Sequence, residues 1–399
     1  MPDISQRGIG MPASPIRKLV PLANRAKARG IKVYHLNIGQ PDIPTPAVAM
    51  EALRHIDRRI LEYSPSEGIR TLREKFVSYY AKFDIHVDVE DIIITTGGSE
   101  AVSFSFMACL DPGDEIIVPE PAYANYMAFA ISSGAVIRTL ASSIESGFAL
   151  PDIERFEALI TPRTKALLIC NPNNPTGYLY TPEEMGKIRD LVKKYDLFLF
   201  SDEVYREFCY TGAPYISALH LKGIENNVVL VDSVSKRYSE CGIRIGAIIT
   251  KNAQVRENVM KWCQARLSPP LIGQIIAEAS LDTPEDYMRN VYDEYLERRN
   301  FLVEGLNRIP GCYSPLPMGA FYTVVRLPVD DAEHFCAWCL ESFDHERQTV
   351  MMAPASGFYT TPGAGRNEVR MAYVLDRQEL GQALTVLTKA LEAYPGRRL

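Results

Sequence analysis

The strongest constraint on the fold is an alternation of short apolar runs with amphipathic stretches through the middle of the chain. The apolar runs are rich in Ile, Val and Leu and have the length of buried strands. One amphipathic stretch, Thr181 to Tyr195, opens with TPEE, which supplies a helix cap, a proline at the first helical position and acidic residues in the first turn. The alternation predicts an α/β fold in which helices cover both faces of a mostly parallel sheet. The predicted strands are Asp91–Thr95, Glu115–Val118, Lys165–Cys170, Leu197–Ser201, Val228–Asp232 and Ile245–Thr250.

The C-terminal part of the chain has a different pattern, with long helical stretches between isolated strands. Together with the N-terminal segment it predicts a second, smaller α+β domain. The turn-rich stretch Gln40–Pro46 suggests one domain boundary. We therefore expect an N-terminal segment at 1–45 that joins the small domain, a large domain at 46–290 and a small domain at 291–399. The predicted elements are a helix at Asp286–Leu306, a strand at Met318–Leu327, a helix at Asp330–Phe343, a strand at Glu368–Val374 and a closing helix at Asp376–Ala393.

Composition excludes several classes of function. The 399 residues carry a net charge of −6, whereas a dedicated nucleic-acid binder concentrates positive charge. No apolar run approaches the roughly 18 residues that span a bilayer, and the N-terminus lacks the apolar core of a secretory signal. Eight cysteines scattered through a long chain favour reduced thiols. We expect a cytoplasmic protein that binds neither nucleic acid nor membrane.

Two apparent metal or redox signals are weak. The pair Cys336 and Cys339 has no second pair to complete a metal site, and its spacing fits packing on one helix face. The six histidines show no ligand spacing, so no metal site is predicted. The phosphate-binding motifs G-x-G-x-x-G and G-x-x-x-x-G-K are also absent from the sequence, which weakens a nicotinamide or nucleotide interpretation.

Chemistry-bearing side chains follow several of the predicted strands, and one basic residue lies inside a strand. Ligands of parallel α/β sheets bind beyond the carboxyl ends of the strands, so we expect these segments to form one site. The segments are Thr95–Ala101 (TTGGSEA), Asn171–Gly177 (NPNNPTG), Ser201–Tyr205 (SDEVY), Asp232–Arg237 (DSVSKR) and Asn367–Tyr373 (NEVRMAY).

Three of these segments supply an anion-binding turn, a rigid loop and a buried carboxylate. The glycines of Thr95–Ala101 allow close backbone approach, and the following helix start attracts an anion such as a phosphate, although a plain turn explains them too. The two Asn-Pro units of Asn171–Gly177 impose an extended loop that holds an Asn side chain at a fixed point. Asp202, at the end of a buried strand, is costly unless a cation or a donor pairs with it, or unless it caps the next helix.

The other two segments supply cations. Lys236 lies among hydroxyl groups after a strand, where it is either a solvated surface charge or a nucleophile activated by neighbouring cations such as Arg237 and Arg244. Arg244 is also suited to a bidentate grip on a phosphate. Arg370 lies inside an apolar strand and needs a carboxylate partner, from the protein or from a ligand.

Taken together and in this order, the segments resemble the class I and II aminotransferases, which are pyridoxal-phosphate enzymes of fold type I. The resemblance covers nearly the whole chain, from Leu36–Asp42 (LNIGQPD) to Arg370. Its most specific parts are the Asn-Pro-x-Asn-Pro-Thr-Gly loop, the Asp-Glu-x-Tyr strand end and the Ser-x-Ser-Lys stretch. The resemblance implies a large domain with a seven-stranded type of sheet and a smaller α+β domain.

The resemblance also implies roles for individual residues. Lys236 would form the internal aldimine with pyridoxal phosphate and carry the proton between substrate and cofactor. Asp202 would keep the pyridine nitrogen protonated, and Asn174 and Tyr205 would hydrogen-bond the ring oxygen. Tyr123 would stack on the ring. The phosphate would be held by Gly98, Ser99, Ser233, Ser235 and Arg244.

Substrate and partner contacts follow from the same resemblance. Arg370 would bind the α-carboxylate of an amino acid or 2-oxo acid, with Gly39 and Asn174 contributing to the substrate site. Tyr63 matches a tyrosine that reaches the phosphate of the neighbouring subunit, which implies a homodimer with shared sites.

The substrate side chain is less constrained. Some aspartate aminotransferases read the distal carboxylate with a lysine where this chain has Ser99, and others with an arginine after a Pro-Pro-x-x-Gly segment, where this chain has Gln274. Arg17 in the N-terminal segment either reaches the site or is an exposed charge. Aspartate is the first choice, with 2-oxoglutarate as a possible acceptor, and aromatic or other neutral amino acids are the alternative.

Two further functions share this fold. A β-lyase begins with the same Cα deprotonation, so the motifs do not distinguish it from an aminotransferase. A pyridoxal-sensing regulator would need an attached DNA-binding domain, and the aminotransferase-like pattern here begins by about residue 11, so we do not expect one.

Overall fold

The computed structural model describes residues 2–398, which form twelve strands and fourteen α-helices. The strands are β1 Lys32–His35, β2 Ile92–Thr95, β3 Glu115–Glu120, β4 Val136–Ala141, β5 Thr164–Cys170, β6 Phe198–Asp202, β7 Val228–Ser233, β8 Gly246–Ile249, β9 Tyr322–Arg326, β10 Gln348–Met351, β11 Ala353–Pro354 and β12 Glu368–Ala372. The helices are α1 Gln6–Ile9, α2 Val20–Ala28, α3 Ala47–Arg54, α4 Arg70–Ala81, α5 Gly97–Cys109, α6 Asn125–Ser133, α7 Ile153–Glu157, α8 Pro182–Tyr195, α9 Val234–Arg237, α10 Ala253–Arg266, α11 Leu271–Ser280, α12 Glu285–Asn307, α13 Ala332–Glu341 and α14 Arg377–Ala393.

A seven-stranded sheet forms the centre of the molecule, in the order β2-β8-β7-β6-β5-β3-β4. The neighbours from β7 to β4 are parallel, and β8 alone runs antiparallel to both of its neighbours. The predicted α/β class with a mostly parallel sheet is therefore confirmed. Strand β4 was not predicted from the sequence, because it is an edge strand whose residues are mostly only partly buried and carry no continuous apolar run.

Burial on both faces explains why the central strands are apolar without interruption. Leu167 and Leu168 are consecutive in β5, yet they lie in different hydrophobic clusters on opposite faces of the sheet. Val229 and Leu230 in β7 divide in the same way. Because successive side chains of a strand point to opposite faces, a sheet covered by helices on both sides needs apolar residues at every position.

Helix α8 begins as the sequence predicts. The Thr181 hydroxyl accepts a hydrogen bond from the Glu184 backbone N–H at 3.2 Å, and the Glu184 carboxylate accepts one from the Thr181 N–H at 2.7 Å. This reciprocal capping box satisfies two donors that the first helical turn leaves unpaired, with Pro182 at the first helical position.

The smaller sheets lie outside this layer. Strands β11, β12 and β9 form an antiparallel sheet, and β1 pairs in parallel with β10. The predicted strand Met318–Leu327 is wrong at its start, since regular pairing begins at Tyr322. Gly319 and Met318 instead donate to the backbone oxygen of Gly177, and Ala320 has a φ of 56°. The domain boundaries at 45/46 and 290/291 stay predictions.

The helices bear on two further points, the Cys336 and Cys339 pair and membrane-spanning segments. Cys336 and Cys339 are both fully buried in α13, on its core-facing side, as their spacing predicts. Among residues 2–398, no helix is both long enough and apolar enough to cross a membrane.

Candidate active site

Four of the predicted site residues meet at the carboxyl ends of three neighbouring parallel strands. Asn174 follows β5, Asp202 ends β6 with Tyr205 three residues later, and Lys236 lies in the short helix α9 that follows β7. Adjacent parallel strands bring their carboxyl ends to one edge of the sheet, which is where α/β proteins bind ligands.

Asp202 is a buried carboxylate with no cationic partner among residues 2–398. Its Oδ2 accepts a hydrogen bond from the Tyr126 hydroxyl at 2.6 Å, and its Oδ1 accepts one from the Val204 N–H at 3.4 Å. Burial raises the pKa of Asp202 to about 6, although these two hydrogen bonds act in the opposite direction. A protonated nitrogen heterocycle beside this carboxylate would supply the positive charge that the protein itself does not.

Lys236 presents a primary amine that is not paired with any carboxylate in the described part of the chain. Its Nζ donates a hydrogen bond to the backbone oxygen of Gly39 at 2.8 Å. Gly39 also permits the close approach of Tyr322, because a Cβ atom at residue 39 would lie only 1.7 Å from the Tyr322 hydroxyl oxygen. Any side chain at residue 39 would therefore collide with Tyr322.

A chain of hydrogen bonds joins the segments that follow β5 and β6 to the antiparallel sheet of β11, β12 and β9. The Asn174 amide donates to the Tyr205 hydroxyl at 3.4 Å, and the Tyr205 and Tyr322 hydroxyl groups are 2.9 Å apart. On its other side, the Asn174 side-chain oxygen accepts from Arg370 Nη1 at 3.1 Å. The sequence interpretation missed Tyr322, because its contact with Tyr205 joins residues 117 positions apart and no local motif marks it.

Arg370 is a buried guanidinium without a carboxylate partner among residues 2–398. It is 1% exposed, and its other hydrogen bond goes to the backbone oxygen of Asn37. Its Nε atom has no partner in the described structure, and its guanidinium carbon lies 4.6 Å from the Tyr322 ring centroid. Burial lowers the pKa of Arg370 from its ordinary value. The interpretation that Arg370 forms an internal salt bridge is therefore wrong. The Arg370 guanidinium is suited to bind the carboxylate of a ligand.

Two tyrosines, Tyr126 and Tyr123, lie next to one another beside Asp202. The Tyr123 hydroxyl accepts from the Asn125 amide at 2.8 Å, and the Tyr123 ring meets the Tyr126 ring edge-on with 5.4 Å between centroids. Burial raises the pKa of Tyr123 to about 12. The sequence interpretation missed Tyr126, which lies three residues after Tyr123, in α6, and donates a hydrogen bond to the Asp202 carboxylate.

The glycine turn, the serines and Arg244 gather around the start of α5. Gly97 has a φ of 74°, and a Cβ built there would lie 2.5 Å from an Arg244 guanidinium nitrogen. A Cβ on Gly98 would lie 3.9 Å from that of Ser233, whose hydroxyl is 2.8 Å from the Ser235 hydroxyl. Helix α5 begins at Gly97, so its free N–H groups, including that of Ser99, add to the positive potential. This donor set suits a phosphate.

Tyr63 is the one predicted site residue that the single chain does not place with the others. Its side chain is 77% exposed, in a segment without regular structure between α3 and α4.

Arg237 does not provide a positive field for Lys236. Its guanidinium forms ion pairs with Asp232 and, at 3.2 Å, with Glu207, and it is fully buried. Asp232 also accepts from Tyr80 at 2.6 Å and pairs with Arg206 at 3.4 Å. Burial alone would raise the pKa of Asp232, yet Arg237 and Arg206 hold it below its ordinary value. This network fixes the β7–α9 turn that carries Lys236.

Replacing Asp232 by asparagine is expected to lower the free energy of unfolding by about 3–5 kcal/mol, because it leaves two buried guanidinium groups without their shared counter-charge. Urea unfolding measures the change. Asp286→Asn, at a side chain that is 84% exposed, is the control and should change stability by no more than about 0.5 kcal/mol. Equal effects of the two substitutions would contradict the structural role given to the network.

Comparison with known proteins shows the family of this chain. The family described as aminotransferase class I and II matches residues 31–387. An aspartate aminotransferase of Pyrococcus horikoshii is 31% identical over 395 residues, covering 98% of this chain and 97% of the relative. Solved structures of an aspartate aminotransferase from Thermus thermophilus with maleate and of an alanine aminotransferase from Pyrococcus furiosus superpose with TM-scores of 0.88 and 0.89, at 29% and 30% identity. Each covers 98% of this chain and 100% of the solved chain. The chain belongs to the class I and II aminotransferases, pyridoxal-phosphate-dependent enzymes that move an amino group between an amino acid and a 2-oxo acid.

Proposed function

We propose that this enzyme binds pyridoxal 5′-phosphate through Lys236 and transfers the amino group of L-aspartate to a 2-oxo acid such as 2-oxoglutarate. One observation carries the proposal: among residues 2–398, the strand ends and the segment 37–39 hold a buried carboxylate without a cation, a buried guanidinium without a carboxylate, and a lysine amine without an acid. These three unpaired groups match a heterocyclic nitrogen, a substrate carboxylate and an aldehyde. The relatives named as aspartate aminotransferases support the choice of aspartate.

The residues fit the cofactor at each of its functional groups. Asp202 would hold a proton on the ring nitrogen, and Tyr123 would stack on the ring. The start of α5, with Ser233, Ser235 and Arg244, would bind the phosphate. Pyridoxal phosphate, when bound, supplies an electron-withdrawing ring that stabilises negative charge at the substrate Cα.

The remaining residues would act on the substrate. Arg370 would bind the α-carboxylate in a bidentate manner, and Asn174, which already contacts it, would keep its guanidinium oriented. Lys236 Nζ would then remove the proton from the substrate Cα and carry it to the cofactor. Tyr205 and Asn174 together would hold the ring oxygen through hydrogen bonds.

A homodimer with shared sites is part of the proposal. Ile60, Leu61 and Tyr63 are large side chains that lie exposed in one segment, and such a cluster is typical of an interface. In the dimer, Tyr63 would reach the phosphate of the partner subunit. Mass measurement by light scattering tests this, and a fully active monomer would contradict it.

The experiment that tests the function is a panel of amino donors with purified protein and added pyridoxal phosphate. We expect 2-oxoglutarate-dependent turnover with aspartate, and slower turnover with alanine and phenylalanine. Turnover with neutral donors alone would contradict the choice of aspartate. Release of pyruvate and ammonia from a cysteine conjugate, without an oxo acid, would identify a β-lyase.

The pH dependence of stability gives a separate test of Asp202 in the cofactor-free protein. An ordinary aspartate has a pKa of about 3.9 in the unfolded chain, whereas burial raises the pKa of Asp202 to about 6 in the folded one. The stability that the protonated group contributes is therefore complete below pH ~4 and is lost as pH rises through about 6. Relative to Asp202→Asn, the wild type should lose on the order of 3 kcal/mol between pH ~4 and ~7. A constant difference across this range would contradict the assignment.

A further inference from the structure

A dicarboxylic substrate needs a second cation in addition to Arg370, and most cations around the site are engaged elsewhere. Arg266 is paired with Glu100 at 2.8 Å, and Lys18 with Glu333 at 2.6 Å. Arg244 lies at the phosphate end of the site. Gln274 is neutral, and its amide is used by the backbone of Ile69 and the hydroxyl of Ser64.

The N-terminal segment before α2 is anchored beside the α-carboxylate site. The Asn37 amide donates to the backbone oxygen of Ile16 at 2.9 Å, and the backbone oxygen of the same Asn37 accepts from Arg370. Asn37 is fully buried. One residue therefore connects Arg370 to the backbone immediately before Arg17.

A second contact, between Pro15 and Gly357, holds the same segment close to the Arg370 site. A Cβ built on Gly357 would lie 2.3 Å from the Cβ of Pro15, so the two backbones are closely packed. The next residue, Phe358, has its ring centroid 5.0 Å from the Arg370 guanidinium carbon. A cavity of about 220 Å³ lies between this segment and Tyr123, with Pro12–Pro15 on one wall and Phe358 on another.

Arg17 is the free cation at this place. Within residues 2–398 its guanidinium makes no ion pair and no side-chain hydrogen bond, and its side chain is exposed. Burial raises the pKa of Tyr123, and Arg17 opposes that shift together with Arg370.

We propose that Arg17 binds the distal carboxylate of dicarboxylic substrates and so determines specificity for them. The inference rests on the proposed function and adds to it the residue that reads the side chain. Arg370 would hold the α-carboxylate and Arg17 the distal one, with Asn37 fixing the spacing between the two cations. A guanidinium suits this role because it grips a carboxylate through two parallel hydrogen bonds.

The test compares Arg17→Gln, Arg17→Lys and Lys18→Gln in the holoenzyme. Arg17→Gln should lower kcat/KM for aspartate about 10- to 100-fold, mostly through KM, because one charge-assisted hydrogen-bonded pair is lost. Turnover of alanine and phenylalanine should stay within about 2-fold, since they lack the second carboxylate. Arg17→Lys should restore part of the loss. Lys18→Gln removes the same charge from the same segment and should leave aspartate kinetics unchanged.

A binding measurement separates this inference from the function itself. Succinate is an unreactive dicarboxylate, and its dissociation constant, measured by calorimetry, should rise about 10- to 100-fold in Arg17→Gln. Unchanged succinate binding and unchanged aspartate kinetics would overturn the role of Arg17 while leaving the aminotransferase proposal intact. An equal loss for alanine and aspartate would also overturn it, because it would show only a displaced segment. A wild type inactive with every donor would overturn the proposed function instead.

Discussion

Replacing Lys236 by alanine is expected to abolish nearly all turnover, with a loss on the order of 10⁴-fold, the upper range for removing a positioned proton-transfer group. Lys236 is the amine that follows β7, next to the strand that ends in Asp202, and it donates a hydrogen bond to the backbone oxygen of Gly39. In the proposed mechanism, its removal takes away both the covalent attachment of the cofactor and the group that moves the Cα proton. Turnover of aspartate with 2-oxoglutarate measures the effect.

Lys222→Ala is the matched control, because Lys222 is exposed and lies on the loop before β7. It should retain wild-type activity. If Lys236→Ala kept more than about a tenth of the wild-type rate while remaining folded, another residue would have to move the proton, and the site assignment would be wrong.

Replacing Asp202 by asparagine is expected to slow the reaction by several orders of magnitude while the cofactor still binds. Asparagine has the same shape and can keep the hydrogen bond from Tyr126, but it carries no negative charge to hold a proton on the ring nitrogen. Without that charge, a bound pyridoxal phosphate would supply less stabilisation of negative charge at the substrate Cα. The loss should appear in kcat, with KM changed little.

Two comparisons make this second prediction specific. Asp286→Asn, on the exposed start of α12, should have no effect on kcat. A solvent or substrate deuterium isotope effect should increase in Asp202→Asn, because proton removal then limits the rate. Near-normal kcat in Asp202→Asn would contradict the role of this carboxylate.

The positions of the strand ends could be predicted well from the sequence, because the residues that mark each end are close together in the chain. Each of the central strands is largely a continuous apolar run, and a polar side chain at the end of the run, such as Asp202, or shortly after it, such as Asn174, identifies the edge where ligands bind. The capping box at Thr181 was equally local, since its partners are three residues apart.

Long-range pairings were not predictable in the same way. Tyr322 reaches the site from a different sheet, and its hydroxyl both bonds Tyr205 and excludes any side chain at Gly39. One interpretation had Arg237 activate Lys236, but the Arg237 side chain pairs with Asp232 and Glu207. Lys236 and Arg237 are adjacent in sequence, yet their side chains have different partners. Lys236 contacts the Gly39 backbone, whereas Arg237 belongs to a buried network of ion pairs. The domain boundaries and the cytoplasmic location stay predictions.

The most direct test of the central claim is borohydride reduction of the holoenzyme followed by peptide mass mapping. Reduction makes the bond between the cofactor aldehyde and a lysine amine permanent, so the modified residue can be identified. We expect one phosphopyridoxyl group per chain, on Lys236. A label on another lysine, or no label on a protein saturated with pyridoxal phosphate, would contradict the assignment of Lys236 and with it the arrangement of the whole site.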